Sequence, residues 1–241
     1  MCVFTNTENV FIPSFKLNTF LSYNSSISLF HLISLLCQSS DQSICITSMH
    51  VYRMQSSTSD ASYLMVADSQ KRLHFFQNGT LVKTLHLPSA ITSMCSGYFI
   101  NNTVSGNNTE ESGSDSKMTS SPNKSQRIST ADKQVAMATQ SGAVFVFSNF
   151  AVVPYVNLPY PVSFIKRFPA IGIDDLDAVL CCGQFNKLCI LQNKRLVTCY
   201  ETKDWVHSVD ILDRRKLCDS NLLVIGCADD SVNILKIRKS R

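Results

Sequence analysis

The chain has 241 residues, 44% of them hydrophobic and 17% charged, with a formal charge of +4; it can bury a sizeable core and is too apolar for wholesale disorder. A positive balance spread this thinly does not imply nucleic acid or a membrane surface as partner, and the basic end (Lys236, Arg238, Lys239, Arg241) reads as a solvated tail. Ten cysteines would suit a disulfide framework in a short secreted chain, yet Cys181, Cys182, Cys189, Cys199 and Cys227 lie in apolar runs, and no CxxC pair or zinc-type Cys/His spacing occurs. That usage favours a reducing compartment and a cytoplasmic protein.

Residues 1–40 form an N-terminal segment read as one or two strands of a preceding unit. Its apolar run ISLFHLISLLC (27–37) is too short to span a bilayer, and its single preceding lysine, Lys16, makes a poor signal peptide. Residues 41–241 carry a repeat. Four segments align without a gap: VADSQKRLHFF (66–76), MATQSGAVFVF (137–147), CCGQFNKLCIL (181–191) and IGCADDSVNIL (225–235). Their starts are 71, 44 and 44 residues apart, and the long interval becomes regular if about 27 residues are an insertion in a unit of propeller-blade length.

Each segment is preceded by a strand-like run (from Ile44, Ala90, Pro161 and Trp205), and the first three are followed by another (from Leu81, Val152 and Leu196). Apolar spacing of two and four strands per unit predict an all-β chain, a partial β-propeller of about four four-stranded blades of ~44 residues. Asn78-Gly79 predicts a type I′ hairpin, and Ser141-Gly142 is taken as the equivalent bend one blade later. The anchor segments are read as the inner strands, whose small residues Ala67, Ala138, Cys182 and Gly226 suit blades converging on a channel. Residues 101–132, dominated by Ser, Asn, Thr and Gly, predict a disordered loop, with regulatory phosphorylation as the alternative. The N-x-S/T matches at Asn24, Asn78, Asn101, Asn107 and Asn123 are expected by chance in so Asn- and Ser-rich a chain.

No catalytic, cofactor-binding or metal-ligating residues are assigned, and the chain is expected not to be an enzyme. GxSxG, HExxH, GxxxxGK[ST] and GxGxxG are all missing, and His74, His86 and His207 lie apart in strands. Cys181 and Cys182, neighbours on one strand, should face opposite sides as small buried hydrophobes. Asp174, Asp175 and Asp177, and then Asp210, Asp213 and Asp219, precede strands where a calcium loop could sit. Their alternation is imperfect, the required Gly is missing and Arg214-Arg215-Lys216 would repel a cation, so solvated turns are expected. Trp205 is expected to pack between blades, with an exposed binding anchor as the alternative.

The strings HLPSAITSMCSGY (86–98), DAVLCCGQFNKLCILQNK (177–194), TKDWVHSV (202–209) and VNILKIRK (232–239) carry a resemblance. Over 43–239 the chain resembles divergent propellers of the FG-GAP and BBSome class, most of all the closing blades of a BBSome-subunit propeller. Over 160–237 it is also similar to an integrin-alpha FG-GAP repeat protein of nutrient signalling. The first likeness implies a subunit of a BBSome-like ciliary trafficking complex, with other protein subunits and an Arf-like small GTPase as partners, and a location in the cytoplasm, at the cilium or ciliary base. The second implies a scaffold in a nutrient (TORC1) signalling complex. A calcium-supported extracellular adhesion propeller is the third reading. No nucleic-acid partner or integral membrane segment is expected.

Overall fold

The apolar alternation of the repeat folds into four antiparallel sheets, each a meander of strands consecutive in sequence. The computed structural model describes residues 44–55, 60–101, 133–169, 176–212 and 221–237. Strands β1 (Ile46–Gln55), β2 (Asp60–Asp68), β3 (Arg72–Gln77) and β4 (Thr80–His86) make the first sheet. The second holds β5 (Ile91–Gly97), β6 (Gln134–Thr139), β7 (Ala143–Ser148) and β8 (Ala151–Asn157). The third holds β9 (Val162–Phe168), β10 (Ala178–Gly183), β11 (Phe185–Gln192) and β12 (Arg195–Glu201). The fourth has three described strands, β13 (Val206–Leu212), β14 (Asn221–Cys227) and β15 (Val232–Ile237). The described residues contain no helix. This is a partial β-propeller whose blades pack in chain order.

The gapless alignment reappears as strand register. Val66 pairs with His74, Met137 with Phe145, Cys181 with Cys189 and Ile225 with Asn233, the same two repeat positions each time. The turns repeat as well. Asn78-Gly79, Asn149-Phe150 and Asn193-Lys194 all have positive φ at both positions, the type I′ signature. Ser141-Gly142 is therefore not the equivalent of Asn78-Gly79. It turns β6 into β7, as Gln70-Lys71 turns β2 into β3, and Lys71, Gly142 and Asp230 occupy one left-handed position.

The anchor strands are not innermost. The first strands β1, β5, β9 and β13 contact one another in succession, so the blades converge on them. Each anchor strand stands one place outward; β6 and β10, which have a described blade on either side, are buried at every position. That double burial makes the anchors the most apolar runs, each large side chain contributing about 1.5–3 kcal/mol. At Gly226 the small residue serves pairing within the blade: a Cβ there would lie 2.6 Å from Ser208 Oγ of the directly opposed β13.

Three hydrophobic clusters fill the spaces between successive sheets. Cys181 belongs to the cluster between the second and third sheets and Cys182 to that between the third and fourth, as alternation on one strand requires. A β-bulge recurs at the start of every first strand: the ladder skips Thr47, Thr92, Ser163 and His207. The extra residue sharpens local twist and re-aims its own side chain. The expectations for residues 1–40 and for the loop at 102–132 lie outside the described residues.

Candidate interaction rim

The connections from each fourth strand to the next first strand, and from each second to third strand, meet at one end of the blades. At this end a backbone contact repeats. Ser69 donates its N–H to the Cys45 carbonyl at 2.8 Å, Gln140 to Ala90 at 3.0 Å and Ala228 to Trp205 at 2.8 Å. In the third blade the same place is taken by Pro161, whose carbonyl would lie 2.3 Å from a Cβ on Gly183. In the three blades that make the bond, the repeat asks of this position only a carbonyl, which Cys45 and Ala90 supply. The fourth blade places Trp205 there and leaves the indole 43% exposed.

The Trp205 loop is held firmly. Trp205 donates its N–H to Asp204 Oδ1 at 2.7 Å, Thr202 Oγ1 donates to the Asp204 carbonyl at 2.7 Å, and Asn186 Nδ2 donates to the Lys203 carbonyl at 3.2 Å. On the connection from β8 to β9, Tyr160 stacks on Phe185 with ring centroids 5.1 Å apart and keeps 38% exposure. Between third and fourth blades a pocket of about 290 Å³ opens, its walls Ser163 and Phe164 of β9, Gly183 and Gln184 at the β10–β11 bend, and Trp205, Val206 and His207. Ser163 and His207 are the bulge residues of their strands, which is how two polar side chains come to line it. An aromatic anchor on a tied turn beside a concavity suits recognition of another protein's side chain.

Trp205 therefore takes the exposed position. Asp177 is no solvated turn: it is buried, and its carboxylate accepts from Arg167 Nε at 2.7 Å, Arg167 Nη2 at 3.1 Å and the Tyr98 N–H at 2.8 Å. Asp210 pairs with Lys166 Nζ at 2.6 Å, and this hydrogen bond holds its carboxyl below the usual range. Asp174, Asp175, Asp213 and Asp219 lie outside the described residues, among which no group of three or more His, Cys, Asp or Glu side chains could hold a metal. The histidines stay apart: His86 ends β4 exposed, His207 lines the pocket and His74 is buried.

Three features escaped the sequence reading. In the first blade, His74 Nε2 bonds Asp68 at 3.1 Å, His74 Nδ1 bonds the Thr84 hydroxyl at 3.0 Å, and Arg72 Nε donates to Asp68 at 2.7 Å. Burial would raise the Asp68 carboxyl, but the bonds from His74 and Arg72 outweigh it and hold it low. The order Thr, His, Asp has the connectivity of a catalytic relay; here the carboxylate also accepts the backbone N–H groups of Gln70 and Arg72, which makes the network a lock across three strands. Second, Gln134 is fully buried and clamps residues 99 and 100 through Oε1 and Nε2. Third, Cys189 and Cys199 are not independent packing groups: their Sγ atoms lie 2.9 Å apart, and Cys199 is exposed.

No family model matches the sequence, and comparison with curated proteins returns no match. Among solved structures, the chain is similar to BBS1N in its crystal structure in complex with ARL6DN, soaked with lead, at 11% identity and a TM-score of 0.42, covering 84% of this chain and 66% of that one. It is similar to the computationally designed Ika4 protein at 13% identity and a TM-score of 0.49, covering 83% and 95%. It is also similar to the WD40 β-propeller domain of Doa1, at 14% identity and a TM-score of 0.49, covering 73% and 47%. The chain thus spans less than two thirds of BBS1N and about half of the Doa1 domain. These likenesses do not separate the FG-GAP and BBSome class from the WD class, and they say nothing of what the chain binds.

Proposed function

We propose that the chain is a non-enzymatic protein–protein interaction module that receives its partner at the rim around Trp205. The observation that carries this reading is the exposed tryptophan at a repeat position where the fold needs only a carbonyl. The 43% of the residue that stays exposed adds nothing to blade packing, whereas a rigid aromatic is the commonest kind of binding anchor. More finely, we read the protein as a subunit of a BBSome-like ciliary membrane-trafficking complex, cytoplasmic or at the ciliary base, with an Arf-like small GTPase among its partners. The strings at 86–98, 177–194, 202–209 and 232–239 support that reading.

The test is affinity purification of the tagged full chain from cells, compared with Trp205→Ala. The expected result is recovery of BBSome-type subunits with the parent chain, their loss with Trp205→Ala, and melting curves within about 0.5 kcal/mol of each other, as for surface substitutions. An unchanged partner set with the variant would overturn the rim assignment. Recovery of nutrient-signalling components would replace the trafficking reading with the scaffold one.

A further inference from the structure

We propose that Cys189 and Cys199 form a cross-strand dithiol site, which a small disulfide of the glutathione class converts into an intramolecular disulfide. The two residues are directly opposed on β11 and β12, and their Sγ atoms already stand 2.9 Å apart. The same register contains the hydrogen bond from the Thr202 N–H to the Asn186 carbonyl, 3.0 Å long. Because hydrogen-bonded and non-hydrogen-bonded pairs alternate along an antiparallel ladder, that bond makes Cys189–Cys199 a non-hydrogen-bonded pair, whose Cα atoms approach to about 4.5 Å. A disulfide spans Cα separations of roughly 4.4–6.8 Å, so closure asks for side-chain rotation and no backbone shift.

Access to the two sulfurs is divided. Cys199 is exposed, while Cys189 retains 1% of its surface. Burial, followed by the hydrogen bond with Cys199, pushes the Cys189 thiol up to about 12, and the nearby Lys187 ammonium acts in the opposite direction. Lys187 and Glu201 are the next pair along the same face, 3.4 Å apart, and they set a charged border at the solvent side of the thiols.

These features fix the order of reaction. The Cys199 thiolate attacks one sulfur of the small disulfide; that S–S bond breaks, one small thiolate leaves and a mixed disulfide remains on Cys199. Cys189 then releases its proton to solvent and attacks Cys199 Sγ, which expels the second small thiolate. Two protein thiols are oxidised by two electrons, and the small disulfide is reduced to two thiols. The buried Cys189 acts only in the second step, where contact with Cys199 compensates for its weak acidity. The bond ties β12, exposed along most of its length, to the buried β11.

The test equilibrates the reduced full chain with glutathione buffers of increasing oxidation, alkylates the remaining thiols and maps peptides by mass spectrometry. The expected product loses two hydrogens and two alkylatable thiols and contains a 189–199 cross-linked peptide. Cys199→Ser, at an exposed position, abolishes that product and keeps its melting transition, and Cys189→Ser leaves glutathione on Cys199. The proposal is overturned if Cys199 stays a mixed disulfide in the parent chain or if Cys189 joins Cys181, its partner on the other flank of β11. Full alkylation of both thiols in a buffer that already modifies the exposed Cys45 would overturn it as well.

Discussion

The junction between the second and third blades and the junction between the third and fourth are built on the same repeat, and they are tied in opposite ways. At the first, Thr92 Oγ1 donates to the Val162 carbonyl at 2.6 Å, the Ile165 N–H donates to Ser93 Oγ at 3.2 Å, and buried Asp177 joins Arg167 to the backbone of Tyr98. At the second, the first strands are linked by Lys166 and Asp210, whose side chains are 35% and 72% exposed, and the remaining space opens as the pocket beside Trp205. The carboxylate of the first tie is buried, at 4% exposure, and that of the second is open to solvent, at 72%. Concavity at this rim occurs at the more lightly tied junction.

Paired substitutions give the largest contrast. Asp177→Ala removes the partner of a half-exposed guanidinium and of the part-buried Tyr98 N–H and should cost about 1–3 kcal/mol, whereas Asp210→Ala should cost under about 1 kcal/mol, as exposed ion pairs do. Urea denaturation of both variants measures the difference, and equal losses would erase the distinction between the junctions. Gly183→Ala comes next. A Cβ there would sit 2.3 Å from the Pro161 carbonyl oxygen and 2.8 Å from the Ser163 nitrogen, both backbone atoms; the strain should cost about 1–3 kcal/mol and, because Gly183 and Trp205 line one pocket, shift Trp205 fluorescence.

A smaller effect separates the junctions by pH. At the junction of the first two blades, His50 Nε2 bonds Ser96 Oγ, and burial holds the His50 imidazole below its ordinary value. The unfolded chain therefore binds that proton more readily. The stability contributed by neutral His50 is complete above the ordinary histidine value of about 6.5 and is lost as pH falls from there toward the folded value. Asp210, held low, contributes above the ordinary carboxylate value and loses its contribution only as pH falls through its own lowered value, below about 4. Denaturation midpoints at pH 7 and pH 5 should thus fall for the parent chain and hold nearly constant for His50→Gln.

Much of this architecture is legible in the sequence, because period-two alternation and a gapless repeat specify local pairing. Cys181 and Cys182 enter different cores for that reason, and the four hairpins share one register. What escaped is set by distance or by one inserted residue. Asp177 was read as a solvated turn because its backbone partner, Tyr98, lies 79 residues earlier. The bulges at Thr47, Thr92, Ser163 and His207 each fall at the second residue of a strand, so the alternation beyond them shows no break. The anchor strands passed for innermost because burial on both faces enriches apolar residues wherever a strand sits in the blade. Trp205 was assigned to packing since an aromatic at a strand start carries no sign of its exposure. The Cys189–Cys199 pair follows from the register, once Leu191 is placed against Leu196 across the bulge at Val197.

The meander order of the sheets also sets a sequence of events in time. Every sheet is made from strands adjacent in the chain, so a blade can assemble by successive hairpins while its neighbours are still unformed. The bond between Tyr98 and Asp177 closes only when the third blade has begun to form against the second. Tight polar ties of this kind are late arrivals. Asp177→Ala should accordingly speed unfolding more than it slows folding, leaving the refolding arm of a chevron nearly in place. Residence of the native state, more than the ease of reaching it, depends on this one carboxylate.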